Sequence, residues 1–203
     1  MCNAASFVLT KSSVFWSMRT DHHEDIIREF ELSQDGVRGP NILRVEITPP
    51  NMTDYGTSPE QWTYKLDQDL LPEWHDAKAD EARTRVALAE WIEKRVIREN
   101  EKRNCKNGIF FALGNSLVTA RGNSQITARD NSQITARDNS QIIAWDNSLV
   151  TARDNSLVTA RDNSLVKQFA GTVQPPVDYA VVIDRREDKP VCITAVVDVE
   201  RTK

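Results

Sequence analysis

Residues 114–169 form seven consecutive eight-residue repeats, and this repetition restricts the possible fold more than any other feature of the chain. The repeats are GNSLVTAR, GNSQITAR, DNSQITAR, DNSQIIAW, DNSLVTAR, DNSLVTAR and DNSLVKQF. In the third repeat, Ser132, Ile134 and Ala136 alternate with larger polar residues, which is the two-residue period of a β-strand. The Asp-Asn or Gly-Asn pair that begins each repeat favours a turn, because these residue types tolerate left-handed backbone. The repeats therefore predict a β-solenoid with a thin core of Ser, Val or Ile, and Ala.

The number of repeats in one coil is left open by the sequence. Two repeats, or 16 residues, per coil is the preferred geometry, and three repeats per coil is the alternative. An irregular repeat at 106–113 (KNGIFFAL) is predicted to begin the array, because its Asn-Gly pair keeps the register. An α-helix is disfavoured because Asn, Ser and Thr recur in nearly every repeat. Disorder is disfavoured because a Val or Ile recurs at the fifth position of every repeat.

The region before the repeats is predicted to be an α+β domain covering residues 1–104. Apolar and β-branched runs predict four strands, at 4–9, 14–18, 41–47 and 61–66. Asp21, followed three residues later by Glu24, has the spacing of a capping box and predicts a short helix. A long helix is predicted at 76–98, with acidic residues near its start and basic residues near its end. Its apolar stripe is expected to contain Ala82, Val86, Ala89, Ile92 and Val96.

The region after the repeats is predicted to be a β-hairpin that caps the C-terminal end of the array, and a strand pair that returns to the N-terminal domain is the alternative. Two β-rich runs, 178–183 and 191–199, flank a charged turn at 184–189. The open end of a solenoid is an unpaired strand edge, so a cap there prevents pairing with another chain. The predicted domain order is an α+β head at 1–104, a β-solenoid at 105–169 and a C-terminal β-hairpin cap at 170–203.

The composition predicts a soluble cytoplasmic protein with no cofactor, no metal and no membrane partner. A formal net charge of -4 and a charged fraction of 28% give no strong attraction to nucleic acid or anionic membrane. No apolar run approaches the roughly 18–20 residues of a membrane span, and the N-terminus lacks the basic region of a signal peptide. Three widely spaced cysteines without a CxxC pair predict reduced thiols.

The histidines of the run DHHE at 21–24 are adjacent, and adjacent helical side chains diverge by about 100°, so no metal site is predicted there.

The repeats resemble those of ice-nucleation proteins and of bacterial and phage proteins with NSQVTA-type octapeptides. In this resemblance Ser132, Ile134 and Ala136 match the inward positions, and Gln133 and Thr135 match the outward pair. The outward pair of ice-nucleation coils is Thr-x-Thr, whereas here it is Gln-Thr or Leu-Thr. The resemblance therefore implies the solenoid fold and not ice nucleation. The segment QWTYKLDQDLLPEW resembles uncharacterised phage-encoded repeat proteins, which implies a phage or prophage origin.

The segments MCNAASFVLT and VFWSMRTD are similar to the start of N-terminal-nucleophile amidases of the bile-salt-hydrolase type. This resemblance implies a catalytic set of Cys2, Arg19 and Asp21, in which Cys2 becomes the nucleophile after removal of Met1. A buried thiol on a first strand is the preferred interpretation of Cys2, because the head domain is short for the two packed sheets of that fold. The amidohydrolase is the alternative function, with the solenoid as an oligomerisation stalk.

Departures from the repeat predict a binding surface. Trp145 replaces the arginine of the eighth position, and Ile143 replaces the outward threonine of the same repeat. Four repeats carry an outward leucine where the others carry glutamine: Leu117, Leu149, Leu157 and Leu165. With two repeats per coil, Leu157 is expected on one sheet and the other three leucines on the opposite sheet. Exposed aliphatic residues on a flat sheet are typical of docking surfaces, with Trp145 as the anchor. Packing of Trp145 against the head domain is the alternative.

Five repeats end in arginine: Arg121, Arg129, Arg137, Arg153 and Arg161. Because an Asp or Gly follows all five, the preferred interpretation is an Arg-Asp ladder along a corner of the solenoid. Binding of nucleic acid or a nucleotide through these arginines is a minor alternative, since that function favours a net basic face with aromatic residues.

The predicted function is a non-enzymatic phage or prophage interaction protein. Its solenoid is expected to form a homodimer. Its head domain and the outward aliphatic residues of the solenoid are expected to contact a host protein, such as a component of a defence complex.

Overall fold

The computed structural model describes residues 5–36, 39–51 and 55–195, and the chain divides into two compact units, Met1–Arg95 and Val96–Lys203. The first unit contains a four-stranded antiparallel sheet with the strand order β2-β1-β5-β6, a two-stranded ribbon of β3 and β4, and two α-helices. The elements of this unit are β1 (Ala5–Leu9), β2 (Val14–Phe15), α1 (His23–Glu29), β3 (Asp35–Gly36), β4 (Gly39–Pro40), β5 (Leu43–Thr48), a 3-10 turn (Pro59–Gln61), β6 (Thr63–Leu66) and α2 (Ala77–Arg95). The predicted α+β class of the head is confirmed.

Both helices of the first unit contact β1, which is buried on both faces of the sheet. Phe7 of β1 pairs with Val45 of β5, and both side chains are fully buried. Val8 is on the opposite face and packs with Ile26 and Ile27 of α1. The helix α2 contacts β1 and β2. Burial on both faces explains why all five residues of β1 are buried.

The helix α1 begins without the predicted capping box. His22 occupies the N-cap position and its side chain forms no capping hydrogen bond. Glu24, predicted to reach back to the N-cap, instead forms an ion pair with Arg44 Nη2 at 2.8 Å. Asp21, the predicted N-cap, forms an ion pair with Arg95. The short helix itself is confirmed, but partners distant in sequence take both carboxylates away from the helix end.

The helix α2 buries only part of the predicted stripe. Ala82 and Ala89 are exposed, and Val86 is 74% exposed. The buried residues of α2 are Asp80, Thr84, Leu88, Trp91, Ile92 and Arg95. Three of these are polar and hydrogen-bonded: Asp80 Oδ2 lies 2.7 Å from His75 Nδ1, Thr84 Oγ1 donates to the Asp80 carbonyl at 2.6 Å, and Arg95 pairs with Asp21. The predicted stripe is therefore confirmed at Ile92 and Val96 and wrong at its other three positions, because buried polar groups with partners are invisible to a count of apolar residues.

The second unit is a β-solenoid built from parallel strands. Its strands are β7 (Val96–Ile97), β8 (Lys102–Lys106), β9 (Ile109–Ala112), β10 (Leu117–Arg121), β11 (Gln125–Ala128), β12 (Gln133–Ala136), β13 (Gln141–Ala144), β14 (Leu149–Ala152), β15 (Leu157–Ala160), β16 (Leu165–Gln168), β17 (Thr172–Val173), β18 (Val181–Asp184) and β19 (Val191–Thr194). They form a seven-stranded sheet, β19-β18-β16-β14-β12-β10-β8, and a six-stranded sheet, β17-β15-β13-β11-β9-β7. Ile134 pairs with both Val118 and Val150, which lie 16 residues before and after it. Two repeats per coil is therefore confirmed, and three repeats per coil is excluded.

The solenoid is longer than the sequence repeat. Each sheet contributes six parallel strands, which gives six coils between Val96 and Asp184. The first and last coils have lost the octapeptide but keep buried core positions, with Cys105 and Val182 each 1% exposed. The predicted hairpin is confirmed as the antiparallel pair β18–β19, and β18 is also the last rung of the solenoid. Residues 4 and 196–199, parts of two predicted strands, lie outside the described residues.

The corner between consecutive strands explains the first residue of every repeat. Asp138 has φ 54°, and the corresponding residues of the other repeats also lie in the left-handed region. The Asp138 carboxylate accepts a hydrogen bond from the Gly122 backbone N–H at 2.8 Å, and the Asp138 N–H donates to Asp154 Oδ2 at 3.2 Å. The corner residues thus link each coil to the next, in addition to the strand pairing. Ser132, Ile134 and Ala136 are buried as predicted.

Candidate functional site

The outward face of the seven-stranded sheet carries three of the four predicted leucines. Leu117 pairs with Gln133, Gln133 with Leu149, and Leu149 with Leu165, so they form one column interrupted by a glutamine. Leu117 is 37% exposed, and Leu149 and Leu165 are half-buried. The neighbouring outward column is Thr119, Thr135, Thr151 and Lys167. A shallow concavity of about 350 Å³ runs over β8, β10, β12 and β14, so this sheet presents a Leu-Thr face to solvent.

The six-stranded sheet carries Leu157, as predicted, in one column with Gln141. Ile143 pairs with Thr127 and Thr159 and is 43% exposed, so it stands above the threonines of its column. The structure therefore separates the predicted surface into two faces on opposite sheets. Ile143 and Leu157 belong to one face, and the three other leucines belong to the other.

Trp145 is held between two arginines at a corner of the solenoid. The guanidinium carbons of Arg129 and Arg161 lie 5.2 Å and 4.8 Å from the ring centroid of Trp145. Each such cation–π contact stabilises a partly exposed site by about 0.5–1 kcal/mol. Trp145 is half-buried by this arrangement. Its ring therefore contributes to the stacking of three successive coils.

The repeat arginines do not form one row. Because a coil contains two repeats, they divide into two columns: Arg121, Arg137 and Arg153 in one, and Arg129 and Arg161 in the other. Phe169 follows Arg153 in the first column, and its ring lies 4.9 Å from the Arg153 guanidinium. The predicted Arg-Asp ladder was wrong: within 114–169, all of which is described, Arg129 and Asp146 at 3.9 Å form the one ion pair. The aspartates accept hydrogen bonds from backbone N–H groups instead.

The C-terminal end of the solenoid exposes an apolar strand. All four residues of β19 are exposed, including Val191 at 55% and Ile193 at 39%. Ile193 pairs with the core residue Val182, so its side chain lies on the core side of the sheet. In the described residues the six-stranded sheet ends at β17, which lies opposite β18. That described part therefore has no strand opposite β19. Within residues 55–195, the last coil therefore ends in a strand edge whose apolar side is exposed.

The alternative catalytic set receives no support from the geometry of Asp21. Arg95 Nη1 lies 2.9 Å and 2.7 Å from the two carboxylate oxygens of Asp21, and Arg95 is fully buried. Arg95 also donates to the backbone carbonyls of Ser17 and Thr20. Burial lowers the pKa of the Arg95 guanidinium, and the Asp21 carboxylate opposes that shift. Arg19 is exposed, and Cys2 lies outside the described residues. Asp21 is therefore engaged in a buried structural ion pair.

A cluster that the sequence did not indicate lies in the first unit. His23 of α1, Glu46 of β5 and Asp67, one residue after β6, each place a potential ligand atom within 4.8 Å of the other two. His23 is 5% exposed, with Nδ1 3.2 Å from Asp67 Oδ2 and Nε2 3.1 Å from the Val45 carbonyl oxygen. The strand alternation of β5 places Glu46 on the face opposite Val45. The sequence contained no signal that α1 and the end of β6 meet there.

Among the residues that the structure describes, no helix combines the length and the apolar character needed to cross a membrane. A scan against protein-family models, a search of curated proteins and a search of solved structures each gave no match.

Proposed function

We propose that this chain is a non-enzymatic binding protein whose solenoid self-associates, with β19 of one copy pairing antiparallel to β19 of a second copy. One observation carries the proposal: β19 is an edge strand of four exposed residues without a charged side chain. Natural proteins usually protect such edges with charges, bulges or a covering element. Among the strands of residues 55–195, β19 pairs only with β18, so its outer edge presents backbone groups without a partner there, beside Val191 and Ile193; these are the properties of a strand that pairs with another chain.

The position of exposed apolar residues also supports an interface at this end. Five of the seven large hydrophobic side chains exposed in the described part of the second unit belong to its C-terminal end: Phe169, Val177, Tyr179, Val191 and Ile193. An edge of four residues alone covers less than the roughly 1,000 Å² of a specific interface, so the neighbouring Val177 and Tyr179 are needed to complete it.

Antiparallel pairing of two identical strands produces a closed dimer. The same patch is used by both copies, so the contact is isologous and does not propagate into a fibre. The dimer joins the two seven-stranded sheets edge to edge and presents two first units to further partners. The phage or prophage origin, the cytoplasmic location and the interference with a host defence complex remain predictions from the sequence.

Light scattering of the full chain tests the proposal. We expect a dimer for the wild type, a monomer for Ile193→Lys, and a dimer for Leu117→Lys, which places the same charge on an exposed leucine of the same sheet. Circular dichroism confirms that both variants remain folded. A monomeric wild type contradicts the proposal, as does a dimeric Ile193→Lys variant.

Two further variants distinguish other arrangements. If Trp145→Asp or Ile143→Asp dissociates the dimer while Ile193→Lys does not, the interface is the surface predicted from the repeat and not β19. If the wild type is a monomer and a chain ending at Ala195 associates, residues 196–203 cover the edge within one copy. Each of these results overturns pairing through β19.

A further inference from the structure

We propose that His23, Glu46 and Asp67 bind one divalent cation of the first transition row, at a site in the first unit that is independent of the proposed dimer. The three residues come from α1, β5 and the segment after β6, and their potential ligand atoms lie within 4.8 Å of one another. An imidazole nitrogen and two carboxylates are a ligand set that Zn²⁺, Mn²⁺ and Fe²⁺ accept.

The two nitrogens of the His23 ring both face acceptors. Nε2 lies 3.1 Å from the Val45 carbonyl oxygen, which only accepts hydrogen bonds, so Nε2 carries a proton. Nδ1 lies 3.2 Å from Asp67 Oδ2. Nδ1 is then the ring nitrogen available to a cation, and it faces the Asp67 carboxylate. A histidine whose other nitrogen donates to a backbone carbonyl is the usual arrangement of a metal ligand.

Glu46 adds a second carboxylate with no hydrogen bond or ion pair among the described residues. Lys65 pairs with Glu46 in the β5–β6 register, but its side chain is exposed, and no ion pair joins it to Glu46 among the described residues. Two carboxylates beside one buried imidazole repel one another unless a positive charge lies between them. A divalent cation supplies that charge and balances the two carboxylates.

A buried hydroxyl beside the cluster is a second observation at this site. Ser6 of β1 pairs directly with Glu46 of β5, so the two side chains stand on the same face of the sheet with Cβ atoms about 5 Å apart. Ser6 is 1% exposed, and its Oγ has no hydrogen-bond partner among the described residues. A buried hydroxyl without a partner is destabilising. A water bound to the cation provides the partner that Ser6 lacks.

The site is open on one side. Asp67 has 41% of its side chain exposed, whereas His23 is buried, so an ion enters and leaves past Asp67. Three protein ligands leave at least one coordination position for water. Metal–ligand distances of about 2.1 Å place ligand atoms about 3–4 Å apart, so small side-chain rotations close the site. This set differs from the run DHHE in the sequence: His22 is exposed, while Asp21 and Glu24 pair with Arg95 and Arg44.

Titration of the full chain with Co²⁺ tests the site. Visible absorption of bound Co²⁺ reports nitrogen and oxygen ligands and distinguishes them from thiolates, and Zn²⁺ is added as the competitor. We expect one Co²⁺ per chain, displaced by Zn²⁺. Asp67→Asn and Glu46→Gln are expected to weaken binding by at least about tenfold, and His23→Gln to abolish the nitrogen-ligated spectrum.

Glu24→Gln is the matched control, because Glu24 is a carboxylate of the same helix that is engaged with Arg44. It is expected to bind Co²⁺ as the wild type does. Thermal unfolding with and without chelator checks that the ligand variants are folded, and the metal is expected to stabilise the wild type but not Asp67→Asn. Absence of saturable binding, or binding unchanged in Asp67→Asn and Glu46→Gln, overturns the proposal. The Ile193→Lys variant is expected to bind Co²⁺ as the wild type does, because Ile193 is not part of the metal site. A failure of the dimer proposal is therefore distinguishable from a failure of the metal site.

Discussion

The aspartate at the corner of each repeat has two roles that substitution can separate. Asp138 adopts left-handed backbone with φ 54°, and its carboxylate accepts the Gly122 N–H at 2.8 Å. Asp138→Asn keeps both the conformation and an acceptor oxygen. Asp138→Gly keeps the conformation and loses the acceptor, and Asp138→Ala loses the acceptor and disfavours the conformation. Gly114 and Gly122 occupy the same position in the first two repeats, so glycine is already compatible with this corner.

The expected free energies follow from these differences. Loss of the exposed hydrogen bond costs about 1 kcal/mol. In Asp138→Gly the unfolding free energy falls by about 0.4–1 kcal/mol more, because glycine gives the unfolded chain more entropy. In Asp138→Ala it falls by about 1–2 kcal/mol more, because alanine is strained in left-handed backbone. We expect Asp138→Gly to lower the free energy of unfolding by about 1.5–2 kcal/mol and Asp138→Ala by about 2–3 kcal/mol. Asp138→Asn is expected to cost less than about 0.5 kcal/mol, since removing one charge also relieves repulsion with Asp154.

Urea unfolding followed by far-ultraviolet circular dichroism measures the three variants, and hydrogen exchange of the Gly122 amide reports the lost bond directly. The decisive result is the order of Gly and Ala. In regular strands and helices alanine is the more stable of the two by about 0.5–1 kcal/mol. If Asp138→Ala is as stable as Asp138→Gly, left-handed geometry does not explain the aspartates of this solenoid. If the Gly122 amide exchanges equally fast in the wild type and in Asp138→Gly, the carboxylate bond makes no contribution.

Three further predictions concern the buried ion pair, the stacked tryptophan and the thiols. Arg95→Leu leaves the Asp21 carboxylate without its partner and is expected to destabilise the first unit by about 3–5 kcal/mol in urea unfolding; Arg19→Ala, as an exposed control, should stay within about 0.5 kcal/mol of the wild type. Trp145→Leu removes two cation–π contacts and should lower the unfolding free energy by about 1–2 kcal/mol, and an unchanged value would show that the contacts are without effect. Burial raises the pKa of the Cys105 thiol to about 12, so at pH 8 a maleimide should label exposed Cys192 and spare Cys105 until the chain is unfolded. The folded state keeps the Cys105 thiol neutral up to about pH 12, whereas the unfolded chain ionises it above its ordinary pKa of 9.0. The stabilisation is therefore complete below pH 9.0 and is lost as the pH rises toward 12. The free energy of unfolding of Cys105→Ala should depend less on pH in that range.

The core of the solenoid was predictable because it depends on local periodicity. The alternation of Ser132, Ile134 and Ala136 with polar residues requires a strand with one buried face. The position of the left-handed corner follows from the residue types that tolerate it. The distribution of the leucines over two sheets also followed, once two repeats were placed in one coil. These features are repeated many times, so an error in one repeat does not change the interpretation.

The extent of the solenoid was not predictable from the repeat. The first coil contains β7 and β8, and the last contains β17 and β18, none of which keeps the octapeptide. Their membership depends on pairing with neighbouring strands. Cys105 and Val182 occupy core positions because the adjacent coil supplies a flat apolar layer on which a different small or branched side chain packs equally well.

The polar interior of the first unit was also decided by the tertiary structure. The buried face of α2 contains Asp80, Thr84 and Arg95, which periodicity assigns to solvent. Each is buried because a partner satisfies it, and for Arg95 that partner is Asp21, far away in the sequence. The cluster of His23, Glu46 and Asp67 forms in the same way, from three elements whose proximity no local pattern encodes.

By itself, the sequence determined the repeated coil, its inward and outward residues, the α+β class of the head and the hairpin that follows the array. Those features depend on side chains two to sixteen residues apart, whose relation is set by the geometry of strands and turns. The tertiary structure alone decided where the solenoid begins and ends, which charges are buried, and that a histidine meets two carboxylates. Those features depend on contacts between distant segments, because the free energy of burying a polar group is determined by the partner that it finds there.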